Sequence, residues 1–212
     1  EDALRSTSNS STTASVQSVD LNAERSVNAE IGLRSSLSQN TSVDVTVFRN
    51  DFSNLVQVGS IAGGSISYAE GKALFQGAES AIQFDQLSKA VPGNLFLKMS
   101  LTHLMVAEQR TQFNVVSPHT GGPYGAVGNR LPYAPKNLAT ISLGYRATQN
   151  WNGRIEYVYV GSQYSDFGNT TTPSSDGQTG LIDAYGIWNV VANYTLGSAT
   201  LFVTAKIGRA HV

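Results

Sequence analysis

The chain of 212 residues has no cysteine, six prolines and little charge. Without cysteine there is no disulfide scaffold and no thiolate metal site. Asp, Glu, Lys and Arg make up 14% of residues and the formal net charge is -1. That balance offers no basic surface for nucleic acid. No run of eighteen apolar residues occurs, so a transmembrane helix is excluded. The opening Glu1-Asp2-Ala3-Leu4-Arg5 lacks the charged and apolar parts of a signal peptide and has no initiator Met. It is expected to lie inside a longer protein. No Gly-x-Ser-x-Gly elbow or His-Glu-x-x-His pair is present, and Gly71-Lys72-Ala73 lacks the Walker spacing. An enzyme is not expected, and neither is a cofactor or a bound metal.

What the chain does have is alternation of period two, the mark of strands with two unlike faces. Val27, Ala29, Ile31 and Leu33 form one apolar series, and Val43, Val45 and Val47 a second. Leu95, Leu97, Met99 and Leu101 follow, then Ala139, Ile141, Leu143 and Tyr145. Ile155, Tyr157 and Tyr159 precede Trp188, Val190, Ala192 and Tyr194, and Leu201, Val203 and Ala205 come last. An eighth segment, 72–85, carries Ala78, Ile82 and Phe84 on one face and Glu79 on the other. In the strand centres Glu30, Arg34, Asp44, Glu79, Lys98, Arg154 and Glu156 all fall on the polar face. Lipid enforces such segregation, because Lys or Arg on the outside of a barrel costs roughly 2–4 kcal/mol at mid-depth. Arg49 and Asp51 share the apolar phase but lie just beyond Val47, where a strand leaves the hydrocarbon.

The connections alternate too. Short polar breaks at 38–40, 86–93, 148–150 and 197–198 alternate with long stretches at 53–71, 107–135 and 164–182, each read as a loop. This is the rhythm of short periplasmic turns and longer extracellular loops. Tyr145, Trp151, Tyr157, Tyr159, Trp188 and Tyr194 sit near strand ends, where aromatics with polar tips favour a membrane boundary. His103 continues the apolar phase of Leu101 near a strand end and reads as an interfacial histidine. The expected fold is all-β: an antiparallel transmembrane β-barrel fragment of about eight strands. Residues 1–23 read as an extracellular loop or lead-in. Residues 207–212, Ile-Gly-Arg-Ala-His-Val, match the translation of a common sequencing adapter and are expected to be a non-native tail. A complete eight-stranded barrel with an adhesin or structural role and a soluble β-sandwich binding module are the alternatives.

Several stretches resemble the C-terminal barrel of TonB-dependent outer-membrane receptors. Leu21 to Gly32, with Glu24, Ser26, Asn28 and Glu30, is similar to the family's Pro-Glu-x-Ser-x-Asn-x-Glu-x-Gly strand, with Ala23 in place of Pro. Phe48-Arg49-Asn50-Asp51-Phe52-Ser53-Asn54 resembles its Phe-x-Asn-x-Phe-x-Asn segment, and Gly77-Ala78-Glu79 its Gly-Val-Glu. Gly128-Asn129-Arg130-Leu131-Pro132-Tyr133-Ala134-Pro135-Lys136 is similar to the region before a descending strand. Gly177 to Ile182, before Tyr185-Gly186-Ile187-Trp188, is most similar to ferric-citrate transporters.

The resemblance implies a parent barrel of about 22 strands around a plug. It implies uptake of a ferric chelate across the Gram-negative outer membrane, driven through a TonB–ExbB–ExbD complex that engages an N-terminal part. It places the apolar series against outer-membrane lipid. An anionic chelate favours Arg, His and amide donors at the mouth. Arg110, His119 and Arg130 in one long stretch are candidates for substrate binding, and Gln57 in another is a weaker one.

Overall fold

The computed structural model describes residues 5–7, 16–18, 23–61, 66–90, 92–112, 114–116, 123–125, 127–147, 150–177 and 179–208. Eight strands form one sheet: β1 (Arg25–Ser38), β2 (Thr41–Ile61), β3 (Ile66–Phe84), β4 (Asn94–Gln109), β5 (Asn137–Arg146), β6 (Trp151–Val160), β7 (Tyr185–Leu196) and β8 (Ala199–Gly208). Each pairs antiparallel with its neighbours in sequence, and β1 and β8 are the two edges. The sheet is therefore an open stretch of barrel wall, neither a closed eight-stranded barrel nor a sandwich of two sheets. No helix of the described residues is long and apolar enough to cross a membrane.

The register puts every apolar series on one face. Ile31 lies opposite Val47, Val47 opposite Ala78, and Ile82 opposite Met99. Met99 meets Ile141, Ile141 meets Tyr157, Tyr157 meets Trp188, and Trp188 meets Ile207. The polar face has its own transverse row: Gln83, Lys98, Ser142, Glu156, Asn189 and Lys206. The apolar face is uncovered in the strand middles. Ile31 is 73% exposed and Ile141 48%. An apolar surface continuous over eight strands far exceeds what a protein leaves in water without a partner phase.

One loop expectation is corrected. The stretch 53–71 is mostly strand, because β2 runs on to Ile61 and β3 begins at Ile66. Three register shifts beyond Phe52 carry the pairing out to Ile61 opposite Ile66, with Asn54 in the left-handed region at φ 57°. The irregular spacing of apolar residues there hid the hairpin, since the register shifts interrupt the alternation. Within 1–23, read as a loop or lead-in, Arg5–Thr7 pairs with Val16–Ser18 in a two-stranded sheet. Strand β8 continues through Ile207 and Gly208, while 209–212 lie outside the described residues.

Two glycines show how strand interiors accommodate large rings. A Cβ on Gly144 would lie 2.2 Å from the ring of Phe96, its cross-strand partner. A Cβ on Gly186 would meet Tyr157 equally closely. Tyr157 in turn packs on Trp188, with ring centroids 4.8 Å apart. Aromatic rings laid over strand glycines pin register.

Candidate functional site

Two places on the wall collect functional chemistry. The first is the polar face nearer the short turns. The Glu156 carboxylate accepts hydrogen bonds from Ser142 Oγ at 2.8 Å and Asn189 Nδ2 at 3.1 Å. Arg146 lies over the Phe96 ring, 4.4 Å from its centroid, with Lys98 on the same ring at 5.8 Å. A groove of about 440 Å³ brings Lys98, Arg146 and Arg154 together around Glu156. With Asp85 beside Arg146, three cations meet two carboxylates, which leaves a small positive excess that attracts anions. Just beyond β3, the Asp85 carboxylate accepts from Gln83 at 2.5 Å and Asn94 at 3.1 Å, and faces Arg146 at 3.9 Å. The Gln83 bond, followed by those of Asn94 and the nearby cations, holds Asp85 below its ordinary pKa against the opposing effect of burial.

The second place is the opposite end of the wall, where segments 127–136 and 161–182 fold against the polar face. Ala73, Ala107, Leu131, Ala134 and Phe167 form a dry cluster, joined by Phe52 and Phe75. Phe52, Ala73, Phe75 and Ala107 all belong to the polar phase of β2, β3 and β4. The segments therefore turn over the water side of the wall. Phe167, 1% exposed, is the anchor.

Polar bonds join the two segments. Arg130 N donates to Asn169 Oδ1 at 2.7 Å, and Asn169 Nδ2 returns a bond to Arg130 O at 2.7 Å. Asn129 Nδ2 reaches Phe167 O at 2.7 Å, and Tyr133 N reaches Tyr164 O at 2.8 Å. Asn169 and Tyr133 have φ of 54° and 56°. For Asn this is a tolerated state; for Tyr such a conformation costs on the order of 1–3 kcal/mol.

The candidate binding residues fare unequally. Arg130 spends its guanidinium on the loop itself, with Nε on Ala134 O at 2.6 Å and Nη2 on Leu104 O at 3.1 Å. Burial pushes its pKa below the ordinary arginine value. Arg110 pairs with Glu108 at 2.9 Å and remains half exposed. His119 lies outside the described residues, as does the side chain of Gln57, whose main chain pairs opposite Tyr68. Of the four, the side chains of Arg110 and Arg130 are described, and both guanidinium groups are engaged within the chain. Sequence reading passed over Tyr133, Phe167 and Asn169. Their available signals were a Pro-Tyr turn between two buried positions and the Asp166-Phe167-Gly168-Asn169 run. His103 meets Asn137, its Nδ1 2.7 Å from Asn137 Oδ1. No cluster of three or more metal-ligating side chains occurs among the described residues.

Residues 2–206 match the family described as TonB dependent receptor-like, beta-barrel. The chain belongs to that family. Among curated relatives of this TonB-dependent receptor chain is the ferrienterobactin receptor of Escherichia coli (strain K12). It is 27% identical over 184 residues, covering 84% of this chain and 23% of the relative. Among solved structures, the ferric citrate transporter FecA in its unliganded form superposes with a TM-score of 0.59 at 22% identity, over 82% of this chain and 24% of FecA. The siderophore receptor PiuA from Acinetobacter baumannii gives a TM-score of 0.54 at 18% identity, over 84% and 23% of the two chains. At these identities the structural matches speak for the fold alone. The chain spans about a quarter of the length of these relatives. Members of the family are outer-membrane proteins of Gram-negative bacteria, receptors and transporters by their names.

Proposed function

We propose that this chain forms part of the wall of a TonB-dependent transporter that carries an iron chelate, a siderophore or ferric citrate, through the Gram-negative outer membrane. The observation that carries the reading is the division of the sheet. Through all eight strands, by way of Ala78 and Ile82 on β3, the register sends Val27, Ala29, Ile31, Leu33, Val43, Val45, Val47, Leu95, Leu97, Met99 and Leu101 to the same face as Ile141, Leu143, Tyr145, Ile155, Tyr157, Tyr159, Trp188, Val190, Tyr194, Leu201 and Val203. That face would touch acyl chains. The charged middles of the strands would line water.

Exposed edge groups make the same point. Each unpaired backbone group in hydrocarbon costs several kcal/mol, so β1 and β8 require further strands to close the wall. The groove around Lys98, Arg146 and Arg154 supports passage of an anionic cargo along the inner face. Energy would come from TonB–ExbB–ExbD.

The chain has no cysteine, so no native thiol of residues 1–212 competes with an introduced spin label. Single cysteines at Ile31, Leu97, Ile141 and Val190 in the full-length receptor, reconstituted in bilayers, should be open to oxygen and shielded from a water-soluble nickel relaxant. Labels at Lys98 and Arg154 should show the reverse. Equal nickel access on both faces would overturn the lipid assignment. Transport is tested separately, by uptake of radioactive iron as ferric citrate and as a siderophore complex in cells with and without TonB. TonB-independent uptake, or none, would overturn it.

A further inference from the structure

The outward face of the wall does not stay apolar to its top. On β2, Arg49 and Asp51 continue the phase of Val45 and Val47, and on β3 Gln76, Leu74 and Lys72 continue that of Ala78. Glu108 on β4 lies opposite Leu74, which lies opposite Asp51, so the three form one transverse row. Arg110 extends that strand end, its N donating to Lys72 O at 2.8 Å. Arg49 pairs with Asp51 at 2.7 Å and Arg110 with Glu108 at 2.9 Å, and both guanidinium groups are half exposed. Lys72 is exposed and has no ion-pair partner among the described residues. Arg130, bridged to Glu108, adds a cation whose guanidinium is held by carbonyls. Cations therefore outnumber carboxylates where these strands leave the hydrocarbon at the loop end.

On the turn-ward side of these charges the wall is dented. An open, mostly apolar groove of about 530 Å³ is lined by Ala29, Ile31, Val47, Met105 and Val106, with Arg49 in its loop-ward row. Met105 is the unpaired residue of the β4 bulge. An apolar groove under a cationic rim fits an acyl chain below an anionic headgroup. The loop end faces the outer leaflet. Arginine and lysine favour phosphate oxygens. Asp51 and Glu108 repel phosphate but accept hydrogen bonds from sugar hydroxyls, and the Gln76 amide serves either. The mixed set therefore favours a phosphorylated sugar over a glycerol phosphate.

The same strand ends carry the loop cap on their other face. Ala73 and Ala107, one residue from Leu74 and Glu108, belong to the dry cluster. Leu131 N donates to Ala107 O at 2.8 Å, Gln109 N to Asn129 O at 2.9 Å and Gly128 N to Gln109 O at 3.0 Å. A ligand that fixes Glu108 and Arg110 outside also fixes the strand end to which the cap is bonded inside.

We infer that this outward rim binds the phosphorylated sugar headgroup of an outer-leaflet glycolipid, with an acyl chain in the groove, and that the bound lipid braces the loop cap through the end of β4. This rests on the membrane-wall reading above. The test uses the full-length receptor in dodecyl maltoside, titrated with bisphosphorylated lipid A, dephosphorylated lipid A and phosphatidylglycerol. Wild type should bind bisphosphorylated lipid A about tenfold more tightly than either of the others. Arg49→Gln, Lys72→Gln and Arg110→Gln should each weaken that binding by about fivefold. Arg34→Gln, on the polar face, should leave it unchanged. Ala29→Phe fills the groove without touching a charge and should also weaken it. All of these variants should keep the thermal midpoint of wild type. Bisphosphorylated lipid A should slow hydrogen exchange at the Gly128 and Leu131 amides, and less so in Arg110→Gln at the same lipid concentration.

Equal affinity for all three lipids would overturn the headgroup assignment. Undiminished affinity in the cation variants or in Ala29→Phe would overturn the site, as would a loss of binding that follows a lowered midpoint. Binding with no change in exchange at Gly128 and Leu131 would overturn the brace. Each of these failures leaves the wall reading standing when the spin labels at Leu97 and Ile141 report lipid. Labels open to nickel at those two positions would remove the wall reading, and the inference with it.

Discussion

The strand middles and the loop end of this chain are ordered by different physics. In the middles, Ile31 and Ile141 stand open on one face while Glu30, Lys98 and Arg154 occupy the other. Backbone pairing and the choice of surrounding medium hold the sheet, with almost no interior. At the loop end, Phe167, Leu131, Ala134, Ala73 and Ala107 exclude water as the core of a soluble domain does. A membrane wall can dispense with a core because lipid replaces it. A loop in water cannot, so it builds a small core against the water side of the wall.

That contrast predicts where truncation hurts and where charge hurts. Phe167→Ala should be the largest effect, about 3–5 kcal/mol for an aromatic removed from a dry cluster. The damage should stay local. Limited proteolysis of the full-length receptor should cut within 161–184 while the barrel keeps its heat-modifiable migration in gels. Barrel unfolding in step with loop cleavage would show that the two regions are one cooperative unit.

Charge should act the other way round. Ile141→Lys places an ammonium on the apolar face and should cost about 2–4 kcal/mol at mid-depth. Ser100→Lys lies one strand away on the polar face and should cost far less. Urea titrations of the receptor in vesicles measure both. Equal losses would remove the distinction between the faces.

The wall was readable because alternation is a local signal repeated eight times. One series, such as Leu95 to Leu101, sets the phase of its strand, and the antiparallel register extends it to neighbours. Bulges were not readable. The pairing of β3 with β4 shifts between Gln76 and Gly77, and Leu104 and Val106 face consecutive residues there. Beyond this point the apolar phase moves from odd to even positions, and alternation alone cannot show it. The loop end was less legible still. Arg110 and Arg130 drew notice as cations, yet one is paired with Glu108 and the other clamps carbonyls. Those partners are set by tertiary packing, which composition does not encode. Asn169 looked like one loop asparagine among many until its amide met both main-chain groups of Arg130.

Asn169 separates the two loop segments from each other with a smaller effect. Asn169→Gly keeps the left-handed backbone and removes the amide, which should cost about 1–3 kcal/mol by leaving Arg130 main-chain groups unpaired. Asn169→Ala should cost more, because Ala is disfavoured at φ 54°. Hydrogen exchange at the Arg130 amide should accelerate in both variants. Unchanged exchange would mean that Phe167 alone fastens the segments, and the cap would then be held by burial as simply as the wall is held by its medium.

The smallest effect should come from pH, through Asp85 at the turn end. Asp85 has a folded pKa below its ordinary value, chiefly through Gln83 and also through Asn94 and Arg146. The unfolded chain therefore binds a proton more readily than the folded one. The stability so gained is complete above the ordinary carboxylate range and is lost as pH falls through the depressed folded value. The effect should be modest, because Asp85 is about a third exposed and its ion pair is screened. Hydrogen exchange of residues 85–95 at neutral pH and at about pH 3 should show acid loosening in wild type and less of it in Asp85→Asn. At the loop end Arg130 is bonded to Ala134 O and Leu104 O and makes no contact with Asp85, so exchange of its amide should not respond to Asp85→Asn at either pH. Acid loosening of 85–95 that persists undiminished in Asp85→Asn would show that another group carries the pH response of the turn.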